Sequence, residues 1–335
     1  MTPAAPLHHP LPPPARYRPW LSGRYETGPG LHRLGTDFGN GRLDGHLFQV
    51  DCEWPGYLEA KHEARAEALH KYVATALAPG EEGALARFII ETLSRESPDL
   101  FTWTPVSGGG RLHCRPSGEI LEVDGQGRLQ AARGGGHRPP YAGVFDALAC
   151  QVQEDLVLVR VDGGDSVCAL HVCFPNHWAP ADKLGQDFAA LHAPVPGMER
   201  TRARGPVLLQ AALEKGPYVR FAWGLATDTR LNHHPEPPPG HDPEAWQGRR
   251  FDPSRPRLFV RVERQALSGL PGTRLVLFTI RTRFTDVTAL DDAELDALVR
   301  ALDSMSPAQR RYKGLAAHWP AVRHWLDALA ARAIP

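Results

Sequence analysis

The residues of this chain best placed to do chemistry lie between Val167 and Met198, in the run VCALHVCFPNHWAPADKLGQDFAALHAPVPGM. The spacing predicts an apolar strand, a turn at Pro175, and a helix over 180–192 whose Leu184, Phe188 and Leu191 line one face. His192 lies one step round from Leu191, and Pro194 ends the helix by disfavouring helical geometry at residue 193. An imidazole in this position has two possible uses. It can pack or cap the helix C-terminus, where the helix dipole favours it, or it can present a ring nitrogen to a metal. The pattern alone favours the packed residue. His171, mid-strand, and His177, just after the turn, are the other imidazoles of this stretch.

A second constellation sits in two later strands. In RVERQ (261–265) the period of two puts Arg261, Glu263 and Gln265 on one face, and Val262 and Arg264 on the other. In TIRTRF (279–284), Thr279, Arg281 and Arg283 likewise share a face. Charge buried on a sheet is costly unless paired, so two arrangements follow. Either Glu263 and Arg281 form a structural ion pair, or the arginines grip ligand carboxylates, which the planar guanidinium fork suits. Lys183 projects away from the Leu184–Phe188 face, toward solvent or toward a ligand.

Composition removes several function classes. Lys+Arg and Asp+Glu are both 38, and no basic stripe stands out, which argues against sequence-independent nucleic-acid binding. No stretch approaches the roughly 18 apolar residues of a membrane span. The opening residues lack the charged start and apolar core of a signal peptide. The five cysteines (Cys52, Cys114, Cys150, Cys168, Cys173) are scattered and odd in number, as expected of reduced thiols in a cytoplasmic protein. No CxxC or CxxCH occurs, so cysteine-based zinc ribbons and covalent haem attachment are not expected. Of the 16 histidines, several lie in proline-rich stretches: His8 and His9, and His233, His234 and His241 in NHHPEPPPGH. These read as solvated loops, because a metal site needs ligands held in place by further contacts.

The elements that would position these residues are legible in outline. Residues 1–19 form a proline-rich arm, disordered or clamped, and 20–104 an N-terminal helical region. In its first helix Leu58, Arg65, Leu69, Tyr72, Val73 and Leu77 follow helical spacing, with Lys61, Glu63 and Glu67 on the wet side. Residues 105–140 form a glycine-rich surface insertion holding one hairpin, ILEV to RLQA across Asp124-Gly125. The core, 141–285, holds five strand candidates at 153–161, 166–174, 218–225, 257–267 and 274–284. That order predicts an α+β fold: a five-stranded antiparallel sheet with helices on one face. Residues 286–335 are again helical, with Asp291 and Glu294 as a capping box. One integrated domain is expected.

The segment CFPNHW…KLGQDFAALHAPVPG, followed by RFAWGL, RVERQAL, LFTIRT and YKGL, resembles the haem-dependent oxidative N-demethylase family, whose characterised members are haem-bearing alpha subunits of dimethylamine monooxygenases. The match is colinear from LFQVD and YLEAK, near Leu47, to about Leu315. The resemblance implies haem b in a PAS-like five-stranded core. It makes His192 the proximal ligand of the iron, with His171 second. His177 is a poorer choice, because family members tend to carry Ser-Arg where this chain has Asn176-His177. The resemblance further implies haem-binding roles for Arg264, Lys183 and Trp223, and catalytic roles for Glu263 and Arg281. Glu263 would neutralise a bound ammonium, which the face of Trp223 also attracts. The implied activity is oxidative N-demethylation of a small secondary or methylated amine, using O₂ and releasing formaldehyde. Electrons would come from a separate reductase or ferredoxin-like donor, so that NADPH, flavin and iron–sulphur enter only through partner subunits. A tetrahydrofolate-binding partner is a further implied component. The alternative is a haem-binding PAS-like sensor or carrier without catalysis, since fold does not decide function.

Overall fold

In the computed structural model, residues 10–135 and 139–332 are described, which leaves His8 and His9 outside it. In chain order the first half holds β1 (His32–Arg33), α1 (Trp54–Tyr72), β2 (Val73–Thr75), α2 (Pro79–Glu96), β3 (Phe101–Val106), β4 (Gly109–Cys114), β5 (Glu119–Asp124), β6 (Leu129–Gly134) and α3 (Val144–Ala149). Then come β7 (Asp155–Val161), β8 (Asp165–His171), α4 (Phe188–Leu191), α5 (Glu199–Arg202), α6 (Gly205–Lys215), β9 (Tyr218–Ala226), α7 (Pro243–Trp246), β10 (Phe259–Gly269) and β11 (Leu275–Asp286). Helices α8 (Asp292–Asp303), α9 (Pro307–Tyr312) and α10 (Trp319–Arg332) complete the chain.

The expected sheet is corrected in size, partner and cover. It has seven antiparallel strands, in the order β1-β9-β10-β11-β7-β8-β2, and a separate four-stranded sheet runs β3-β4-β5-β6. A single five-stranded PAS-like sheet is therefore not the fold. The added edges are a two-residue and a three-residue strand, too short to show any alternation. Both faces are covered rather than one. On one face Val157, Val159, Leu267 and Val276 pack against Leu209 and Ala212 of α6. On the other, Leu156, Leu158, Ala266 and Leu277 join Leu85, Ile89 and Leu93 of α2. We call these the α6 face and the α2 face.

The glycine-rich stretch is part of a four-stranded sheet that shares the main core, rather than a surface insertion carrying one hairpin. Phe101, Leu112 and Leu121 are fully buried against α2 and α3. At about 1.5–3 kcal/mol for each such side chain, this packing fixes the second sheet to the first. Pro105, which reads as a strand breaker, lies in edge strand β3.

The α2 face carries charges that the sequence places in water. Lys61 is wholly buried, and its Nζ donates to the carbonyls of Ala149, Val152 and Glu154 at 2.7, 2.9 and 2.6 Å. It ties α1 to the entry of β7. Lys61→Met would leave three buried acceptors without their donor, a loss expected to exceed about 3 kcal/mol. A urea midpoint unchanged in this variant would contradict that role. At the chain ends, Glu294 of α8 pairs with Arg16 and Arg18, and its carbonyl accepts from the buried Trp20 indole. These contacts clamp residues 15–25 along the C-terminal helices. No helix among the described residues is long and apolar enough to cross a membrane.

Candidate functional site

The α6 face of β9 and β10 holds a polar patch amid apolar packing. Register decides its members. Glu263 lies opposite Ala222 and Thr282, while Arg264 lies opposite Phe221 and Arg281. Glu263 thus shares the α6 face with Arg220, Arg261 and Gln265. Arg264, Arg281 and Trp223 belong to the opposite side of the sheet. The expected Glu263–Arg281 ion pair does not form. Glu263 instead accepts from Asn176 Nδ2 at 3.3 Å and Gln265 Nε2 at 3.1 Å, with Arg261 Nε at 3.6 Å.

Each arginine of the α2 face has a protein partner, although Arg264 Nη1, and Nε and Nη1 of both Arg281 and Arg283, are buried without a hydrogen bond. Arg281 donates to both oxygens of Asp51 at 3.1 and 2.9 Å and lies over the Tyr57 ring, its Cζ 3.7 Å from the centroid. Arg283 reaches the same carboxylate at 2.7 Å. Arg264 donates to the His46 carbonyl. Trp223 packs between Trp20 and Tyr25 under the C-terminal helices, so it does not line the space beside Glu263.

His192 is on the α6 face, but its helix is shorter than expected. The predicted 180–192 helix is broken. A single turn at Ala181–Lys183 is followed by extended Leu184 and left-handed Gly185 (φ +79°), and Asp187 then caps the four-residue α4. Residues 185 and 186 instead bond to both backbone groups of Val167 at the start of β8. Lys183 sits in the first turn, half-buried, with no hydrogen bond or ion pair to another member of the set. His192 follows α4 directly. Its ring stacks on Phe188 at 4.1 Å, and Nδ1 lies 2.8 Å from the Phe188 carbonyl.

That bond settles the tautomer. A carbonyl only accepts, so Nδ1 carries the proton and the lone pair is left on Nε2, which has no partner among the described residues. Burial, opposed by the carbonyl bond and reinforced by the charges of Arg220 and Arg202, holds the imidazole below its ordinary pKa. A neutral ring with a fixed tautomer and an open Nε2 is what a metal ligand requires.

His171 is on the other face and is fully occupied. Its Nε2 is 3.0 Å from Asp146 Oδ1, and Nδ1 faces Cys173 Sγ at 3.8 Å. Asp146, Cys150 and His171 place ligand atoms within 4.8 Å of one another, the one such metal-ligating group among the described residues. Arg65 already spans both Asp146 oxygens at 2.8 Å. Burial raises the Asp146 carboxyl, but the His171 and Arg65 contacts outweigh it and hold it well below the usual range. The cluster is a charge-compensated core network, with a guanidinium where a metal would need room.

Two of the loop histidines, His233 and His234, are corrected, whereas His241 is exposed as expected. His233 and His234 are buried. Arg261 donates to His233 Nδ1 at 3.0 Å, so His233 Nε2–H donates to Asp228 at 2.9 Å. His233 bridges to Asn176 and stacks on His177 at 5.3 Å, which anchors the long loop beside Glu263. His177 takes a left-handed backbone (φ 65°), and its half-buried ring is held neutral, pushed down to about 2 by burial and by Arg249, His233 and Arg261.

Three members of this site were not singled out from the sequence. Arg220, Arg249 and Lys313 come from β9, from the loop after α7, and from the end of α9. Arg220 is readable from strand alternation beside Glu263. Arg249 and Lys313 arrive from loops and carry no periodic signal. Lys313 is pushed down to about 8, by burial and by Arg249, Arg261 and Arg220, against the opposing pull of Glu263.

The sequence model of one family, described as haem-dependent oxidative N-demethylase, alpha subunit-like, matches residues 42–323. No curated protein matches the chain.

Proposed function

The chain belongs to the haem-dependent oxidative N-demethylase, alpha subunit-like, family, and from that membership we propose that it binds haem b through His192 and demethylates a small secondary or methylated amine. The observation that carries this reading is the His192 ring: neutral, oriented by the Phe188 carbonyl, and open at Nε2. The donor set suits the group. Leu184, Phe188, Leu191 and Phe278 offer apolar packing beside the imidazole for a macrocycle. The buried Arg220 Nε has no hydrogen-bond partner, as expected where a further polar group belongs.

Haem, when bound, supplies the O₂ chemistry that oxidises the N-methyl group, with formaldehyde as the second product. The chain's own residues bind and orient. His192 Nε2 would hold the iron, and the Nδ1–H bond to Phe188 keeps the ring turned and strengthens it as a donor. Glu263 is the carboxylate on this face that can pair with a substrate ammonium; Asn176 and Gln265 fix it by donating one hydrogen bond to each oxygen. Arg281, proposed from the sequence as its partner, acts from the other face only by supporting the sheet. The alpha-subunit description suits a chain that receives electrons from a separate reductase or ferredoxin-like subunit, and a tetrahydrofolate-binding partner would take up formaldehyde.

Glu263→Gln keeps the hydrogen-bonding shape and removes the charge. It should weaken amine binding by about tenfold, the scale of one charge-assisted contact, while haem content stays at the wild-type level. Amine-induced changes in the absorption spectrum would measure this. Loss of haem from the variant would instead make Glu263 structural. Oxygen-dependent formaldehyde release from an N-methylated amine tests the reaction itself.

A further inference from the structure

We propose that Lys313, Arg249 and Arg220 form a carboxylate-binding site over the α6 face of β9 and β10, and that it takes the two propionates of the haem. This rests on the haem reading above and replaces the arginines of the α2 face, which already have protein partners. Among the described residues, neither the Lys313 ammonium nor the Arg249 guanidinium has a hydrogen bond or a carboxylate at ion-pair distance. Arg220 makes one long contact, to the Gly28 carbonyl at 3.4 Å, and its buried Nε has none. Glu263, whose charge acts on Lys313 and Arg220, is shared with Arg261 and oriented by Asn176 and Gln265. With Arg261, these cations outnumber the one carboxylate that acts on them, Glu263, and in a half-buried site their excess charge is repulsive; a ligand carrying two carboxylates would remove that cost.

The backbone is built to admit them. A Cβ on Gly224 would come within 3.3 Å of Lys313 Cδ and 3.6 Å of its Nζ, so the bare strand is what seats the lysine. Gly314 has φ +72°, and a Cβ there would lie 2.4 Å from Arg249 Cδ and 3.1 Å from its Cζ. Both glycines belong to the RFAWGL and YKGL runs, and each makes room for one cation. The site lies on the same sheet face as His192, whose imidazole feels the charge of Arg220.

The full-length chain, prepared without haem, would be titrated with haemin and with haemin dimethyl ester, whose propionates carry no charge. The wild type should prefer haemin by about tenfold or more. Lys313→Met and Arg249→Met should each narrow that preference by about threefold or more, leave affinity for the ester unchanged, and keep the wild-type circular dichroism. Lys313→Arg should restore most of the preference. Equal affinity of the wild type for both compounds, with the histidine-ligated spectrum intact, overturns this site alone. Variants that lose haemin and ester in equal measure overturn it too, since their effect is then on folding. A wild type that binds neither compound overturns the haem reading with it.

Discussion

Replacing His192 by alanine is expected to strip the protein of haem at micromolar concentrations, with affinity lowered by about a hundredfold or more. Losing only an outer partner of a metal-bound histidine costs about 10–100-fold, and here the ligand itself goes. The change touches little else. His192 is half-buried, its Nε2 has no protein partner, and the Phe188 carbonyl it would release lies at the open end of a four-residue helix. Thermal stability of the haem-free chain should therefore barely move. Added imidazole, which can fill the vacated position, should bring back a Soret band in the variant. An alanine variant that keeps its haem and an unaltered spectrum would remove His192 as the ligand, and His177, a half-buried imidazole next to the Asn176 that bonds Glu263, would be the residue to change next.

Asp51→Ala, just before α1, should destabilise the fold by about 3–5 kcal/mol, the cost of leaving buried charge uncompensated. Asp51 and Arg281 are both completely buried, 2.9 Å apart, and Arg283 shares the same oxygen. Burial alone would raise the Asp51 carboxyl, but the two guanidiniums and Gln153 outweigh it and hold it below its ordinary value. A depressed carboxylate contributes stability above its unfolded pKa of about 3.9 and loses it as pH falls through the folded value. The gap between wild type and Asp51→Ala in denaturant midpoint should accordingly be full at neutral pH and close only in strong acid. A variant as stable as the wild type at pH 7 would contradict this role and reopen a functional one for Arg281.

The misplacement of Arg281 shows where sequence reasoning reaches its limit. Alternation within RVERQ correctly separates Glu263 from Arg264, and alternation within TIRTRF groups Thr279, Arg281 and Arg283. Which face of one strand matches which face of the next depends on register, and a slip of one residue reverses every side chain. Arg264 stands opposite Arg281, so the two runs meet in the phase that parts Glu263 from Arg281. The strands at 155–161, 165–171, 218–226, 259–269 and 275–286 are legible because each is long enough to alternate. β1 and β2 are not, and Val73 sits at helical spacing from Leu69 although the chain has already turned into a strand. Phe188 and Leu191 do flank His192 as predicted, but Gly185 and the Asp187 cap divide what periodicity reads as one helix. Lys61 looked solvated because no sequence pattern reveals three carbonyls converging from another element. Arg249 and Lys313 were invisible for the same reason: long-range contacts assemble them.

The central claim, that this chain oxidises an N-methylated amine at a haem held by His192, is tested most directly by formaldehyde release per haem. The purified chain, its haem quantified as the pyridine haemochrome, would be given dimethylamine, O₂, NADPH and a reductase. The account predicts formaldehyde in step with NADPH consumed, dependent on O₂, and abolished in His192→Ala. A chain that carries stoichiometric haem and is reduced by the same donor, yet yields no formaldehyde from dimethylamine or from other small methylamines, would contradict it.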